Sequence, residues 1–320
     1  MRSERRPAVN RCSVLARQSS SSVATRFDRA NGSRGTGLPF SVSTRNDGKG
    51  LRRRVRSEQP AGGEMAQDSD RRSVVITGGA GGIGRALARR FLSAGASVCL
   101  ADCSEDSLEA AGAELGPTIG LMRCDVTSER DCRRLVELAE AHAGRPIDVL
   151  VTNAGVPFAG ALREASAEEI SRVITVNVVG TILSARAAID SLARATDPCL
   201  LLMGSLQSIT GRAGRSVYTA SKHAVAGLAR SLALELGPLG IRVNALAPTV
   251  LDTPFLHEAY ARAGVPVEAG LREAARALPL GRIPTVDDVA ETAFFLASRS
   301  AAAITGQVVM IDGGASAGKF

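Results

Sequence analysis

The chain has 320 residues, 45% of them hydrophobic, which is enough apolar content for one large folded domain. Its formal net charge of +7 arises at the N-terminus: residues 1–72 contain 16 Lys and Arg against seven Asp and Glu, and the rest contains 23 against 25. The near-neutral remainder, with no Trp and only two Tyr in the chain, lacks the basic surface and stacking aromatics of nucleic-acid-binding proteins. No apolar run approaches the roughly 18 residues of a membrane span, so neither nucleic acid nor a membrane is an expected partner.

Residues 1–72 are rich in Arg, Ser and Gly and have no helix or strand periodicity, so we predict that this segment is disordered. Three interpretations stay open: an organelle transit peptide, a basic tail that binds polyanions, or translation that begins at Met65. We favour the start at Met65, because the segment lacks the amphipathic helix typical of transit peptides. The predicted catalytic domain is then 73–320.

The six cysteines form no C-x-x-C pair, and several lie in apolar, strand-like runs. This pattern indicates reduced core thiols, neither a zinc site nor a disulfide framework. We therefore expect a cytoplasmic protein, with organelle import as the alternative if residues 1–64 are a transit segment. No metal-ligand cluster is visible in the sequence, and no metal is expected.

Seven short apolar or β-branched runs alternate with helix-forming stretches along the rest of the chain. The predicted strands are 73–77, 97–102, 119–126, 147–155, 199–205, 241–248 and 307–312. Ser128 with Asp131, and Ser166 with Glu169, have the spacing of helix N-terminal caps. Strands that alternate with helices form parallel βαβ units, so the sequence predicts a single Rossmann-like α/β domain with a doubly wound, seven-stranded parallel sheet.

A glycine-rich turn, TGGAGGIG, joins the first predicted strand to the first helix. Glycines allow the backbone to turn tightly and approach a pyrophosphate, and the helix N-terminus offers unpaired N–H groups. The alternative is a tight turn that only packs the helix closely, but the position between strand and helix favours a dinucleotide site. The residues of this turn expected to bind the cofactor are Gly78, Gly82, Ile83 and Gly84.

An acidic residue, Asp102, ends the second predicted strand, 18 residues beyond Gly84. A carboxylate at this offset binds an adenosine ribose hydroxyl and repels a 2′-phosphate, and the next residue, Cys103, supplies no positive charge. NAD is therefore expected over NADP, although Asp102 could instead cap the next helix. Asp125, with Val126, lies at the end of the third predicted strand and could contact the adenine or form a turn.

The segment YTASK places Tyr218 and Lys222 one turn apart on the same face of a predicted helix. The chain contains 36 Arg and three Lys, and Lys222 is the only lysine within residues 73–310. A phenol has a pKa of about 10, so it needs a nearby cation to act as a base at neutral pH. The alternative, a surface Tyr beside a solvated Lys, would prevail if the pair stood alone.

Two further polar residues support a catalytic group. Ser205 ends the fifth strand, at the sheet edge where open α/β folds bind ligands, and could hold a substrate oxygen. Alternatively, Ser205 only caps the end of the strand, or the nearby Ser208 holds the substrate oxygen in its place. Asn177 lies in a predicted helix on an otherwise apolar face, which suggests a kink or a buried hydrogen bond, or an ordinary core amide.

Together these motifs resemble the short-chain dehydrogenase/reductase family. The likeness continues through NAG (153–155), RVNALAP (242–248), LGRIPTVDDVA (280–290) and ITGQVVMIDGG (304–314), and covers about residues 73–314 in order. The resemblance implies a catalytic group of Asn177, Ser205, Tyr218 and Lys222. It also implies that Lys222 holds the nicotinamide ribose and that Asn177 positions a water in a proton relay.

The resemblance further implies dimers or tetramers joined through the two long helices that begin near residues 167 and 217. It assigns cofactor contacts to residues at or just after the ends of the fourth and sixth predicted strands: Asn153, Ala154, Gly155, Pro248, Leu251 and Thr253. Two departures stand out, namely Thr249 where the family commonly has Gly after Pro248, and Thr152 where Asn is common. The first adds a side chain at the mouth of the substrate site.

The expected reaction is the interconversion of a secondary alcohol and a ketone, with hydride transfer to or from NAD. The predicted substrate pocket contains Val156, Leu206, Gln207, Thr249 and Phe255. A sugar, a polyol, a steroid-like ring and a 3-oxoacyl thioester all stay open as substrates. The alternatives are an NADPH-dependent 3-oxoacyl thioester reductase, which Asp102 disfavours, and a non-catalytic NAD(H) sensor, which would not need a phenolate.

Overall fold

The computed structural model describes residues 72–253, 256, 257, 260 and 264–318. The predicted disordered segment up to residue 71, including Met65, and the predicted pocket residue Phe255 lie outside the described residues. Arg72 donates hydrogen bonds from its guanidinium to the Asp197 carboxylate at 2.5 Å and to the Ala297 carbonyl. Arg72, one residue before the predicted start of the domain at 73, therefore contacts the folded domain.

Seven parallel strands form one sheet, as predicted. They are β1 (Ser73–Thr77), β2 (Ser97–Asp102), β3 (Gly120–Arg123), β4 (Val149–Thr152), β5 (Cys199–Met203), β6 (Arg242–Pro248) and β7 (Val308–Ile311). Their order is β3-β2-β1-β4-β5-β6-β7, which is a doubly wound sheet. β1 and β2 have the predicted bounds, whereas β3 ends at Arg123 because Asp125 turns the chain by accepting a hydrogen bond from the Thr127 N–H at 2.9 Å.

Helices connect the strands. They are α1 (Gly82–Ser93), α2 (Glu105–Leu115), α3 (Glu129–Ala143), α4 (Ala167–Ile174), α5 (Thr181–Arg194), α6 (Ser216–Leu236), α7 (Val267–Arg276) and α8 (Val286–Ala297). The two predicted caps are present. Ser128 accepts a hydrogen bond from the Asp131 N–H at 3.2 Å, and Ser166 forms a reciprocal capping box with Glu169.

The sheet separates two apolar cores, because successive side chains of a strand point to opposite faces. On β1, Val74 and Ile76 contact the core that α1, α2 and α8 cover, whereas Val75 contacts the core under α3, α5 and α6. On β5 the same alternation places Leu201 on the first face and Leu200 and Leu202 on the second. Strands buried on both faces explain why the sequence shows continuous apolar runs.

One continuous helix, Ala167–Arg194, is long and apolar enough to cross a membrane by length and composition alone. It consists of α4, a π-helical turn at Thr175–Gly180 and α5. Ala185, Ala188 and Leu192 of α5 are buried in the core between this helix and the sheet. It is therefore a core helix of the folded domain.

Candidate active site

The carboxyl ends of β1 and β4 lie side by side at the centre of the sheet, with Thr77 paired to Thr152. The chain crosses from β1 toward β2 and β3 in one direction and from β4 toward β5 to β7 in the other. The loops that leave β1 and β4 therefore diverge and open a crevice, which is where ligands bind in this architecture. The glycine-rich turn and residues 153–155 both begin here.

The glycine-rich turn is packed so tightly at Gly78 and Gly84 that no side chain fits at these two positions. Gly78 has a φ of +60°, and a β-carbon on it would lie 2.7 Å from the Ala154 Cα. A β-carbon on Gly84 would lie 2.6 Å from the Gly78 carbonyl oxygen. α1 begins at Gly82 with no side-chain hydrogen bond from its N-cap residue, Gly81, so its first N–H groups are available as donors, as a pyrophosphate cradle requires. Ile83 packs against the adjoining core.

The loop after β4 closes the other side of this cradle. Asn153 donates from its side-chain amide to the Gly78 carbonyl at 2.8 Å, and the Ala154 N–H donates to the Thr77 hydroxyl at 3.2 Å. These bonds fix the loop against the glycine-rich turn. They leave no room for a side chain at Gly78 and explain why glycine is needed there.

Asp102 lies at the end of β2, next to the glycine-rich turn. Its carboxylate accepts hydrogen bonds from the Ala80 N–H and from the Ser104 N–H, each at 3.2 Å. The capping role considered for Asp102 belongs to Ser104, whose hydroxyl accepts from the Ser107 N–H at the start of α2. Asp102 is thus held beside the turn with its carboxylate partly exposed, and Cys103 after it is exposed.

Asp125 and Val126, the predicted cofactor contacts after β3, lie in different environments. Asp125 is exposed, and its carboxylate accepts from both the N–H and the hydroxyl of Thr127, so it forms a turn. Val126 is buried against the π-helical turn, where a β-carbon on Gly180 would lie 2.6 Å from it. Of the two roles considered for Asp125 from the sequence, the structure shows the turn.

Tyr218 and Ser205 meet at the start of α6. The phenol of Tyr218 is hydrogen-bonded to the Ser205 hydroxyl. The neighbouring candidate Ser208 is buried, and its hydroxyl accepts from the Ser205 N–H at 3.1 Å. Ser208 thus supports the loop, and Ser205 is the serine at the phenol.

Burial and two neighbouring residues determine the pKa of Tyr218. Burial raises the pKa of the phenol, while the Ser205 hydrogen bond and the charge of Arg215 lower it in part. The net direction is upward, because burial outweighs these two effects. The Lys222 nitrogen donates to the Met203 carbonyl at 2.8 Å and lies 5.6 Å from the centre of the Tyr218 ring.

Lys222 itself is buried, and burial lowers the pKa of its ammonium to about 8. The hydrogen bond to Met203 ties α6 to the end of β5 and fixes the position of the lysine nitrogen. A β-carbon on Gly155 would lie 3.7 Å from that nitrogen. Gly155, the last residue of the NAG segment, therefore faces the amine across the crevice.

Asn177 is buried within the π-helical turn, and its amide is fully hydrogen-bonded. The Val156 N–H donates to its oxygen at 2.8 Å, and its nitrogen donates to the Val156 carbonyl at 3.0 Å and to the Ser221 hydroxyl at 3.1 Å. The side chain thereby joins the loop after β4 to α6. Both features suggested by the sequence, a distorted helix and a buried hydrogen bond, are present.

The predicted pocket residues that are described surround this group. Val156 is half-buried beside Tyr218, and Leu206 and Gln207 form a 3₁₀ turn after Ser205. The Gln207 amide oxygen is buried and has no hydrogen-bond partner among the described residues. The Thr249 N–H donates to the Ile311 carbonyl after Pro248, the last residue of β6.

Two predicted nicotinamide contacts, Leu251 and Thr253, follow β6. Leu251 is buried in the core on the α1 side of the sheet, where it packs under the crevice. A β-carbon on Gly82 would lie 3.8 Å from the Thr253 methyl group. Thr253 therefore lies beside the first turn of α1.

Two residues of the site were missed in the sequence. Ser221 donates to the Tyr218 carbonyl at 2.7 Å and accepts from Asn177, so it links two members of the predicted catalytic group. Its position three residues after Tyr218, on the same helix face, was the available signal. Arg215 places its charge near the Tyr218 phenol, and nothing in its local sequence indicated this.

Comparisons with known proteins agree with this architecture. The profile of the family described as Enoyl-(Acyl carrier protein) reductase matches residues 78–316. Momilactone A synthase of Oryza sativa subsp. japonica is 38% identical over 76% of this chain and 89% of its own length. Cis-4-hydroxycyclohexanecarboxylate dehydrogenase of Sinomonas cyclohexanicum is 36% identical over 79% of this chain and 100% of its own length.

Among solved structures, the ligand-free aldohexose dehydrogenase of Thermoplasma acidophilum is similar, with a TM-score of 0.72 and 34% identity. The match covers 79% of this chain and 96% of that protein. The chain therefore belongs to the short-chain dehydrogenase/reductase family, whose members are oxidoreductases that bind NAD(P) and act on CH–OH groups.

Proposed function

We propose that this protein oxidises a secondary alcohol to a ketone, reversibly, with Tyr218 as the acid/base and NAD as the cofactor. The observation that carries the proposal is the half-buried Tyr218, whose phenol is hydrogen-bonded to Ser205 and which is followed one helical turn later by the buried Lys222. A sensor that only bound the cofactor would have no use for such a group. This argues against the non-catalytic alternative.

The roles follow from the contacts. Ser205 would hold the substrate oxygen beside the phenol, and Tyr218 would take its proton in the oxidative direction. To accept this proton, Tyr218 must be a phenolate. Burial destabilises the phenolate relative to the phenol, so additional positive charge is needed to stabilise it. Asn177 fixes Val156 and Ser221, and thus holds the loop and α6 at a constant separation while a water passes the proton onward to Lys222.

The residues around the crevice fit a dinucleotide. The turn at Gly78 and Gly84 admits no side chains, and the uncapped N-terminus of α1 suits a pyrophosphate. Asp102, Cys103, Asp125 and Val126 would hold the adenosine, and Asn153, Ala154, Gly155, Pro248, Leu251 and Thr253 would line the nicotinamide end, with Tyr218 and Lys222 at its ribose. Bound NAD supplies the hydride acceptor and a positive ring.

The preference for NAD depends on Asp102. Its carboxylate is partly exposed beside the turn and would accept from a ribose hydroxyl, whereas it would repel a 2′-phosphate. An NADPH-dependent 3-oxoacyl thioester reductase is the second candidate, because the catalytic group would serve it equally. It would be favoured by faster turnover with NADPH than with NADH.

We further propose that the protein assembles as a dimer or tetramer through α4, α5 and α6. Val179 in the π-helical turn between α4 and α5, Ile182 on α5 and Leu234 on α6 are apolar and exposed, with Leu234 82% exposed. Such residues favour burial against a second copy. The five described cysteines are all free thiols, which suits a reducing location such as the cytoplasm.

The test is NAD and NADP reduction across a panel of secondary alcohols, with the purified full-length chain. The panel includes an aldohexose, cis-4-hydroxycyclohexanecarboxylate, its methyl ester and neutral cyclohexanols, and a 3-oxoacyl and a 2-enoyl thioester in the reductive direction. We expect Tyr218→Phe to lower kcat by about 10²–10⁴-fold while NADH binding persists. Undiminished turnover in Tyr218→Phe would overturn the mechanism.

A further inference from the structure

Arg215 lies at the entrance to the catalytic group. It immediately precedes α6 and is three residues before Tyr218. Its guanidinium reaches across to the loop after β4 and donates to the Phe158 carbonyl at 3.0 Å. Phe158, Val156 and Tyr218 belong to one apolar cluster, so the guanidinium adjoins the surface that the substrate would contact.

The charge of Arg215 is partly desolvated and has no anionic partner among the residues that the structure describes. Burial lowers the pKa of its guanidinium, and the like charge of Arg212 lowers it further. In the part of the chain that the structure describes, no Asp or Glu forms an ion pair with Arg215, and its contact is a neutral carbonyl. By contrast, Arg72, Arg85 and Arg282 each pair with a carboxylate.

A partly buried cation without a counter-ion costs free energy unless an anion joins it. The Arg215 guanidinium contacts Phe158, which lies in one apolar cluster with Tyr218, so one small molecule can contact both the guanidinium and the phenol. The charge of Arg215 also lowers the pKa of that phenol. A guanidinium presents two parallel N–H donors that match a carboxylate. Arg212, exposed on the same loop, extends the positive field toward solvent and would steer anions inward.

From this arrangement we infer that Arg215 binds a carboxylate of the substrate, which makes the substrate a hydroxy acid and the product an oxo acid. The inference rests on the proposed function, since it names the substrate class of the same site. The carboxylate would anchor one end of the molecule on Arg215 and so direct its hydroxyl toward Ser205 and Tyr218. Arg215 is then a residue that determines specificity.

The test compares the hydroxy acid of the panel with its methyl ester, which has the same reacting hydroxyl and no charge. We expect the wild-type protein to favour the acid by about 10- to 100-fold in kcat/KM, as for a charge-assisted hydrogen bond. Arg215→Gln should raise KM for the acid by about the same factor and leave the ester nearly unchanged. Arg215→Lys should restore part of the preference, because it keeps the charge without the planar fork.

The control is Arg133→Gln, which removes an exposed charge on α3 and should leave kcat/KM unchanged for both the acid and the ester. Equal losses for acid and ester in Arg215→Gln would overturn the inference, since they would show that Arg215 only supports the loop at Phe158. Equal activity of the wild type on both substrates would overturn it too.

A binding measurement separates this inference from the proposed function. Cyclohexanecarboxylate, which has no hydroxyl to oxidise, is titrated by calorimetry into the NADH-bound protein. Binding that disappears in Arg215→Gln supports the carboxylate site even if no alcohol in the panel is oxidised. Inorganic phosphate that binds Arg215 as tightly as this carboxylate would indicate a general anion site, and would overturn the assignment to a substrate carboxylate.

Discussion

Lys222 donates a hydrogen bond to the backbone carbonyl of Met203 at 2.8 Å, and through it α6 is tied to the last residue of β5. The amine is buried, and in the described residues no carboxylate pairs with it. A buried ammonium with a single neutral acceptor is poorly stabilised relative to its solvated state. The proton on this nitrogen is therefore held more weakly than on an ordinary lysine.

The titration of Lys222 tests this directly. Burial favours the neutral amine, so its pKa moves downward, to about 8. The whole chain contains three lysines, so protein labelled with ¹³C at the lysine Cε should give three resolvable NMR signals. We expect one of them to titrate with a midpoint near 8, while an unperturbed lysine titrates near about 10.4.

Lys222→Arg assigns the signal, because it should remove only the resonance with the low midpoint. The same variant should lose activity, since a planar guanidinium does not fit the place of a compact amine. A Lys222 midpoint at or above 10 would contradict the burial argument.

Features fixed by local sequence could be predicted, and features fixed by distant partners could not. The glycine-rich turn and the pair Tyr218 and Lys222 were evident, because turn residues and helix spacing are local patterns. Arg215 was missed because its acceptor on Phe158 lies 57 residues away. The upward direction of the Tyr218 pKa could not be predicted, because it depends on burial, which spacing along one helix does not reveal.

The close packing of the glycine-rich turn can be tested with two alanines. In Gly84→Ala the new methyl group would lie 2.6 Å from backbone atoms of Gly78 and Gly79, which cannot move aside cheaply. We expect a loss of about 1–3 kcal/mol in the free energy of unfolding, together with weaker NADH binding. Urea denaturation and fluorescence titration with NADH measure the two effects.

Gly81→Ala is the matched control for stability. Gly81 has a φ of −77°, which alanine adopts readily, and a β-carbon there would approach the Gly78 oxygen only to 3.6 Å. Its free energy of unfolding should stay within about 0.5 kcal/mol of the wild type. Equal destabilisation by both alanines would mean that sterics at Gly84 are not the reason for its glycine.

Asp102→Asn tests the choice of cofactor. The amide keeps the shape of the side chain and removes the charge that would repel a 2′-phosphate. We expect the ratio of kcat/KM for NADP to that for NAD to rise by about 10-fold, which corresponds to about 1.4 kcal/mol. Steady-state kinetics with both cofactors gives the ratio.

Asp106→Asn, on the exposed first turn of α2, is the control for a general effect of charge. It should leave the cofactor ratio unchanged. A wild-type protein that already prefers NADP, or an Asp102→Asn ratio equal to that of the control, would show that Asp102 does not set the preference.

The variant Asn177→Ala tests whether the side-chain amide of Asn177 maintains the π-helical turn. Asn177→Ala would leave the Val156 N–H and carbonyl without partners in a site where the amide is only 1% exposed. Unpaired buried backbone groups are costly, so we expect the free energy of unfolding to fall by about 2–4 kcal/mol. Urea denaturation of the full-length chain measures the loss.

Asn177→Asp separates the two ends of that amide. The carboxylate can still accept from the Val156 N–H, but it loses both donor bonds, to the Val156 carbonyl and to Ser221. Its kcat should fall, because α6 is no longer tied to the loop after β4 and Tyr218 loses its fixed position. Ser171→Ala, on the exposed face of α4, should stay within about 0.5 kcal/mol of the wild type. If Asn177→Ala unfolds at the same urea concentration as this control, the amide does not maintain the π-helical turn, and its role is confined to the reaction.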